Sequence, residues 1–280
     1  QGAMAEIEML KKQMAESEEE KEKIKLKYEQ KTNILLAADM FQHGFNAAIN
    51  EEWDKAISFF LRAIELNPDD SLVYYNLGVI YKSQGNLTKA KESYEKAIEL
   101  EPEFELAYNN LGNIYISQGN LTKAEELLNM AYLLGSDIAV INTNKGLLYE
   151  MDGDSRNAII YYEKAIELDP DVKGTYFNMG NIYMSQGNLT KANELFFKAI
   201  ELDPEFALAY NNLGNIYMSQ GNLTKAIELY VKTIELDPNI GRAYNNIGRI
   251  YHTTGNATRA IYYYKKAARL DYKPIQDWLK

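Results

Sequence analysis

Residues 71–104 read SLVYYNLGVIYKSQGNLTKAKESYEKAIELEPEF, and the fold follows from how that stretch is parsed. From Leu72 to Ser83 apolar and aromatic residues fall at helical spacing. Gln84-Gly85-Asn86 interrupts the pattern, and Leu87 to Leu100 resumes it as far as Glu101-Pro102. Gly85 suits the left-handed residue that follows a helix C-terminus, and Asn86 or Thr88 can cap the helix that comes next. The stretch is helix, turn, helix, turn.

Working outward, the same phase recurs every 34 residues. Gly stands at 44, 78, 112, 146, 180, 214 and 248, and twelve residues after each comes an Ala, from Ala56 and Ala90 to Ala260. Pro68, Pro102, Pro170, Pro204 and Pro238 hold a third series, with Ser136 and Tyr272 in the two remaining places. The small residues have a packing reason: Gly78 and Ala90 belong where paired helices cross, since a larger side chain would force the axes apart. Tyr74, Leu77, Tyr81, Tyr94 and Ala97 supply the rest of one unit's core. A single hairpin cannot bury that face, so the units must stack.

Composition agrees with an all-α chain. The 280 residues are 46% hydrophobic with 22 Tyr, few Gly and Pro, and a net charge of −10. An acidic surface repels a phosphate backbone, which argues against nucleic acid as a partner. With no Cys there is no disulfide, thiolate metal site or cysteine nucleophile. A reducing, cytoplasmic setting is the expectation. No run of 18 apolar residues exists, so no insertion into a membrane is expected.

The consensus that emerges resembles the tetratricopeptide repeat. It stands as Tyr108, Leu111, Gly112, Tyr115, Ala124, Leu128 and Ala131, and more completely as Tyr210, Leu213, Gly214, Tyr217, Ala226, Tyr230 and Pro238. The resemblance implies a right-handed helix-turn-helix solenoid of seven units at 37–70, 71–104, 105–138, 139–172, 173–206, 207–240 and 241–274. Residues 1–36 precede it as a remnant of a cleaved tag at Gln1-Gly2-Ala3 and a charged helix, and 275–280 follow it as a short capping helix. Two units depart from the pattern: the first has His43 and Ala47 for Leu and Tyr, and the fourth has Asn142 and Lys145 where an aromatic and an aliphatic belong.

In this family the first helices line a concave groove, and the resemblance implies that the second, fifth, sixth, ninth and twelfth positions of each unit face it. The sixth is Asn76, Asn110, Asn144, Asn178, Asn212 and Asn246, six times in seven. A carboxamide offers an acceptor and two donors on a short stem, so such a row can hold the backbone of an extended peptide without reading its side chains. The row resembles the asparagine ladder of the O-linked N-acetylglucosamine transferase superhelix. The alternative is that these amides bind neighbouring helices. Tyr75, Asn109, Phe177, Asn211 and Asn245 occupy the fifth position, and Asn113, Asn181 and Asn215 the ninth, with Ile116, Met184 and Met218 nearby. They suit an adaptable binding surface, or else they fill the groove themselves.

No unit has Lys at the fifth position, so the carboxylate clamp by which this family reads chaperone tails is missing. Charge is nevertheless uneven. Residues 241–280 carry eight basic and two acidic side chains, leaving −16 for the remainder. Arg242, Arg249 and His252 fall at groove positions, where they grip an acidic segment or simply form a solvated basic cap.

The first unit places Phe41, Phe45 and Ile49 on its groove face, a stripe that calls for cover by the preceding helix, a second subunit or a ligand. Residues 4–36 form a charge-rich helix that folds back over the stripe or runs straight into the first unit. A sparse heptad trace passes through Ile7, Leu10, Met14, Ile24, Tyr28 and Leu35, interrupted by Ser17, Lys21 and Lys31, so self-association through a coiled coil is one of its readings.

Asn86, Asn120, Asn188, Asn222 and Asn256 each begin an Asn-X-Thr tripeptide, but all sit at the inter-helix turn, where capping rather than glycosylation is the expected role. His43 and His252 are the only histidines, and no phosphate loop or metal-ligand spacing occurs, so neither catalysis nor a cofactor is expected. The leading expectation is a non-catalytic scaffold whose concave groove binds an extended segment of a partner, with acidic residues favoured only towards the C-terminal repeats. A self-assembling solenoid is the second, and the substrate-recruiting part of a larger glycosyltransferase-like enzyme, its catalytic domain following Lys280, is the third.

Overall fold

The structure, a computed structural model, describes residues 2–135 and 138–270. Ser136, Tyr272 and the expected capping helix at 275–280 lie outside the described residues, as do the side chains of Ile7, Leu10 and Met14. The described residues form fourteen α-helices in tandem: α1 (Gly2–Ile49), α2 (Trp53–Leu66), α3 (Ser71–Ser83), α4 (Leu87–Leu100), α5 (Glu105–Ser117), α6 (Leu121–Leu134), α7 (Ile138–Met151), α8 (Ser155–Leu168), α9 (Lys173–Ser185), α10 (Leu189–Leu202), α11 (Ala207–Ser219), α12 (Leu223–Leu236), α13 (Gly241–Thr253) and α14 (Ala257–Arg269). They gather into two compact units, one built on residues up to 118 with 126–135, the other on 119–125 with the described residues from 138 onward.

Local chemistry sets each boundary. Side-chain oxygens of Asn86, Asn120, Asp154, Asn188, Asn222 and Asn256 accept from the backbone N–H three residues on, at 3.0–3.2 Å. Each satisfies one of the donors that a helix start leaves free, worth about 1 kcal/mol. The Asn-X-Thr tripeptides are therefore helix starts. In the turn before such a start, Gly85 has φ +75 and Gly221 φ +76, a conformation that costs a side-chain-bearing residue about 1–2 kcal/mol.

Within a hairpin the small residue admits an aromatic ring. A Cβ at Gly214 would lie 2.6 Å from Cε1 of Tyr230, and Gly44 with Phe60, Gly78 with Tyr94, Gly146 with Tyr162, Gly180 with Phe196 and Gly248 with Tyr264 repeat the contact. Those rings form the core and pass from one hairpin to the next. In the first unit Phe60 packs with Val73, Leu77 and Ile80. In the second, Tyr162 packs with Tyr176, Met179 and Ile182, Phe196 with Leu213 and Ile216, and Tyr230 with Ala243, Ile247 and Ile250. α2, α8, α10 and α12 thus each bury a face against the following first helix, roughly 2–3 kcal/mol for each large side chain removed from water.

The 48 residues of α1 run unbroken for about 72 Å. Its last part packs on α2 through Met40, Phe41 and Ala47. The helix continues through the boundary expected at residue 36 and does not fold back over the first unit, because nothing between Lys31 and Ala37 breaks the helical pattern. Phe41, half-buried, packs against the core on Phe60 at 5.6 Å, whereas Phe45 and Ile49 stay 42% and 66% exposed. Ile24, Tyr28 and Leu35 are exposed on α1, four and seven residues apart, and Ile49 lies fourteen residues beyond Leu35 and four beyond Phe45.

Candidate functional site

The fifth positions turn inward. Tyr75 lies between Tyr94 and Phe104 at 5.8 and 5.0 Å, and Phe177 lies between Phe196 and Phe206 at 5.7 and 5.0 Å. Phe104 and Phe206 immediately precede α5 and α11, so the last residue of each of these units closes over a ring of that unit's own first helix. Asn109 and Asn211 are buried. Tyr75 and Phe177 are half-buried, each gaining apolar contact from these neighbouring rings.

The sixth positions are largely engaged with neighbouring helices. Asn110 Nδ2 donates to the Tyr75 hydroxyl at 3.1 Å, and Asn178 hydrogen-bonds the Tyr162 hydroxyl. Asn212 Nδ2 donates to Asn181 Oδ1 at 2.7 Å, and Asn246 Nδ2 to Asn215 Oδ1 at 2.9 Å. Asn76 Nδ2 turns back to its own helix, to the carbonyl of Leu72, and Asn144 is buried. Of the two roles open to these amides in the sequence, binding neighbouring helices describes Asn110, Asn178, Asn212 and Asn246.

This arrangement transfers the free hydrogen-bonding capacity to the ninth positions. Asn211 Nδ2 donates to Asn212 Oδ1, and Asn212 in turn donates to Asn181. Asn245 Nδ2 reaches Asn246 Oδ1 at 3.5 Å, Asn246 donates to Asn215, and the Tyr230 hydroxyl adds a bond to Asn215 Oδ1 at 2.8 Å. Both relays end on an acceptor, so the NH2 groups of Asn181 and Asn215 have no acceptor among the described residues, and neither side chain is buried. Asn113, at the same position of the third repeat, has a bonding partner.

The bonds from Asn212 to Asn181 and from Asn246 to Asn215 also set α9, α11 and α13 side by side. Arg249 occupies the ninth position of α13 and is exposed, as are Arg242 and His252, while Met184 and Met218 are half-buried. Beside Arg249 lies a cavity of about 380 Å³ lined by Met218, Leu223, Ile250 and Thr253. The pairing could have been found in sequence: Asn at the ninth position of one unit precedes Asn at the sixth of the next at 113/144, 181/212 and 215/246. The distances that make two of these pairs hydrogen bonds are not legible there.

Family models place the chain. Those described as TPR repeat or Tetratricopeptide repeat match residues 48–85 and 180–221, 103–171 and 205–273, 71–104, and 161–192. The chain belongs to the tetratricopeptide repeat family. Solved structures of similar fold include a chain of the APC/C hetero-tetramer Cut9–Hcn1, at TM-score 0.69 and 18% identity over 79% of this chain and 46% of that one. A tetratricopeptide repeat protein from Parabacteroides merdae is similar at TM-score 0.66 and 19% identity over 87% and 97% of the two chains. Pseudomonas aeruginosa PilF follows at 0.62 and 17% over 74% and 94%. The chain thus spans about half the length of the Cut9–Hcn1 chain it matches. No curated protein sequence matches it. Among the described residues no group of His, Asp and Glu is placed to hold a metal ion, and no helix is long and apolar enough to cross a membrane.

Proposed function

We propose that this tetratricopeptide repeat protein is an interaction module that holds an extended segment of a partner protein against α9, α11 and α13. One observation carries the reading: Asn181 and Asn215, one repeat apart, keep their NH2 groups unbonded on the first helices while their oxygens are fixed by Asn212 and Asn246. A donor pre-oriented in this way loses little rotamer freedom on binding, and it suits the backbone carbonyls of an extended chain. Membership of the repeat family supports an interaction role over a catalytic one.

Panning a random dodecapeptide library against the intact chain tests the reading. Asn181→Asp/Asn215→Asp keeps the acceptor oxygens that the neighbouring amides need and removes the donors. Recovered peptides should bind the variant at least tenfold more weakly. No recovered binder, or equal binding by the variant, would reject the proposal.

A second reading rests on α1. Ile24, Tyr28, Leu35, Phe45 and Ile49 are exposed apolar residues along a single helix, as are Leu26, Ile34 and Leu36. A second copy seated on them would remove them from water, and light scattering with and without Leu35→Glu/Ile49→Glu measures whether it does.

A further inference from the structure

The charge on α9, α11 and α13 is opposite in character to the rest of the molecule. The chain has 40 Asp and Glu against 30 Lys and Arg, yet these three helices contain no carboxylate at all. The acids of this region lie on the second helices and in the turns: on the helices Glu194 is held by Lys191, Glu201 by Lys198, Glu228 by Lys225 and Glu235 by Lys232, while Asp203, Glu205 and Asp237 lie in the turns. Lys173, the cation of α9, pairs with Asp203. Arg242 and Arg249 are different: both are exposed, and neither forms an ion pair among the described residues. Seven residues apart on α13, they stand two turns from one another on one side of the helix, about 10 Å along its axis.

Alongside the free NH2 groups of Asn181 and Asn215, this face therefore presents hydrogen-bond donors and positive charge with no carboxylate to answer them. A guanidinium grips a carboxylate by paired charge-assisted bonds. The cavity beside Arg249, lined by Met218, Leu223 and Ile250, accepts an apolar side chain next to that carboxylate.

We infer that the occupant of this face is an acidic segment of another protein, a carboxylate paired with Arg249 or Arg242 and an apolar neighbour in the Met218–Leu223–Ile250 cavity. The inference rests on the interaction reading proposed above and names the chemistry of the bound segment. The net charge of −10 repels acidic peptides at long range, so selection of them requires local recognition. It also weakens with salt.

The same random dodecapeptide library, sequenced before and after capture by the full chain and by Arg242→Gln/Arg249→Gln, separates the two claims. Peptides captured by the unaltered chain should hold at least twice the input's content of Asp and Glu. The enrichment should disappear with the arginine variant and fall between 50 and 500 mM NaCl. Capture without acidic enrichment overturns this inference and leaves the interaction reading standing. Enrichment that survives the arginine substitutions places acidic recognition elsewhere and also overturns it. No capture at all defeats both.

Discussion

Asn212 on α11 donates its carboxamide to Asn181 on α9 across 2.7 Å, and the direction of that bond makes the two residues unequal. Asn212 needs its NH2 group for the fold, and Asn181 needs only its oxygen. Asn181→Asp keeps the acceptor and should leave the urea midpoint nearly unchanged. Asn212→Asp turns a carboxylate towards an oxygen and should cost more than the roughly 1 kcal/mol of one ordinary hydrogen bond. Equal losses in urea denaturation would show that the bond does not run in this direction.

Gly214 and Tyr230 provide a packing test. With Tyr230 fully buried, its ring cannot retreat from a Cβ placed 2.6 Å away. Gly214→Ala should therefore destabilise by about 1–3 kcal/mol despite the better helix propensity of Ala. Gly174, also on a first helix, has open space around a Cβ, and Gly174→Ala should be neutral or stabilising. Denaturation midpoints of the two variants should move in different directions or by clearly different amounts.

Glu150 sets a pH dependence. Burial raises its pKa, and the hydroxyl of Tyr162, donating at 2.8 Å, opposes part of that rise. The folded chain holds this proton more tightly than the unfolded chain. Stability from the proton is complete below the unfolded value near 4.5 and is lost as pH rises through the folded one. Glu150→Gln should raise the melting temperature at pH 7 by roughly 1–4 °C, and the gain should shrink as pH falls from 6 to 4. A gain that grows on acidification would contradict the assignment.

The exposed apolar residues of α1 lead to a mass measurement. If a second copy covers Tyr28, Leu35 and Ile49, light scattering at rising concentration should exceed the 32.0 kDa of one chain. Leu35→Glu/Ile49→Glu should return it to that value. A single-chain mass at all concentrations would leave α1 to a different partner or to water.

The hairpins, their caps and their order are legible in residues 71–104, because Gly85, Asn86 and the 3.6-residue periodicity act locally. The Gly78–Tyr94 contact follows from the same repeat. The binding face is only half legible. Position in the repeat identifies which residues lie on first helices, but Tyr75 and Phe177 are drawn inward by Phe104 and Phe206, residues of the adjoining loops that a position-by-position reading overlooks. The exchange of roles between the sixth and ninth asparagines depends on spacing between α9, α11 and α13, which is set by packing of whole helices. The exposed arginines of α13 needed no such information, because no acid lies on their helix.

The most direct measurement of the central claim is a titration of the side-chain NH2 resonances of the asparagines with a peptide recovered from the library. The Asn181 and Asn215 signals should shift progressively with peptide, while those of Asn188 and Asn222, which cap α10 and α12, should remain in place. Unmoved Asn181 and Asn215 signals in a saturated complex would contradict the account and place the partner elsewhere on the protein.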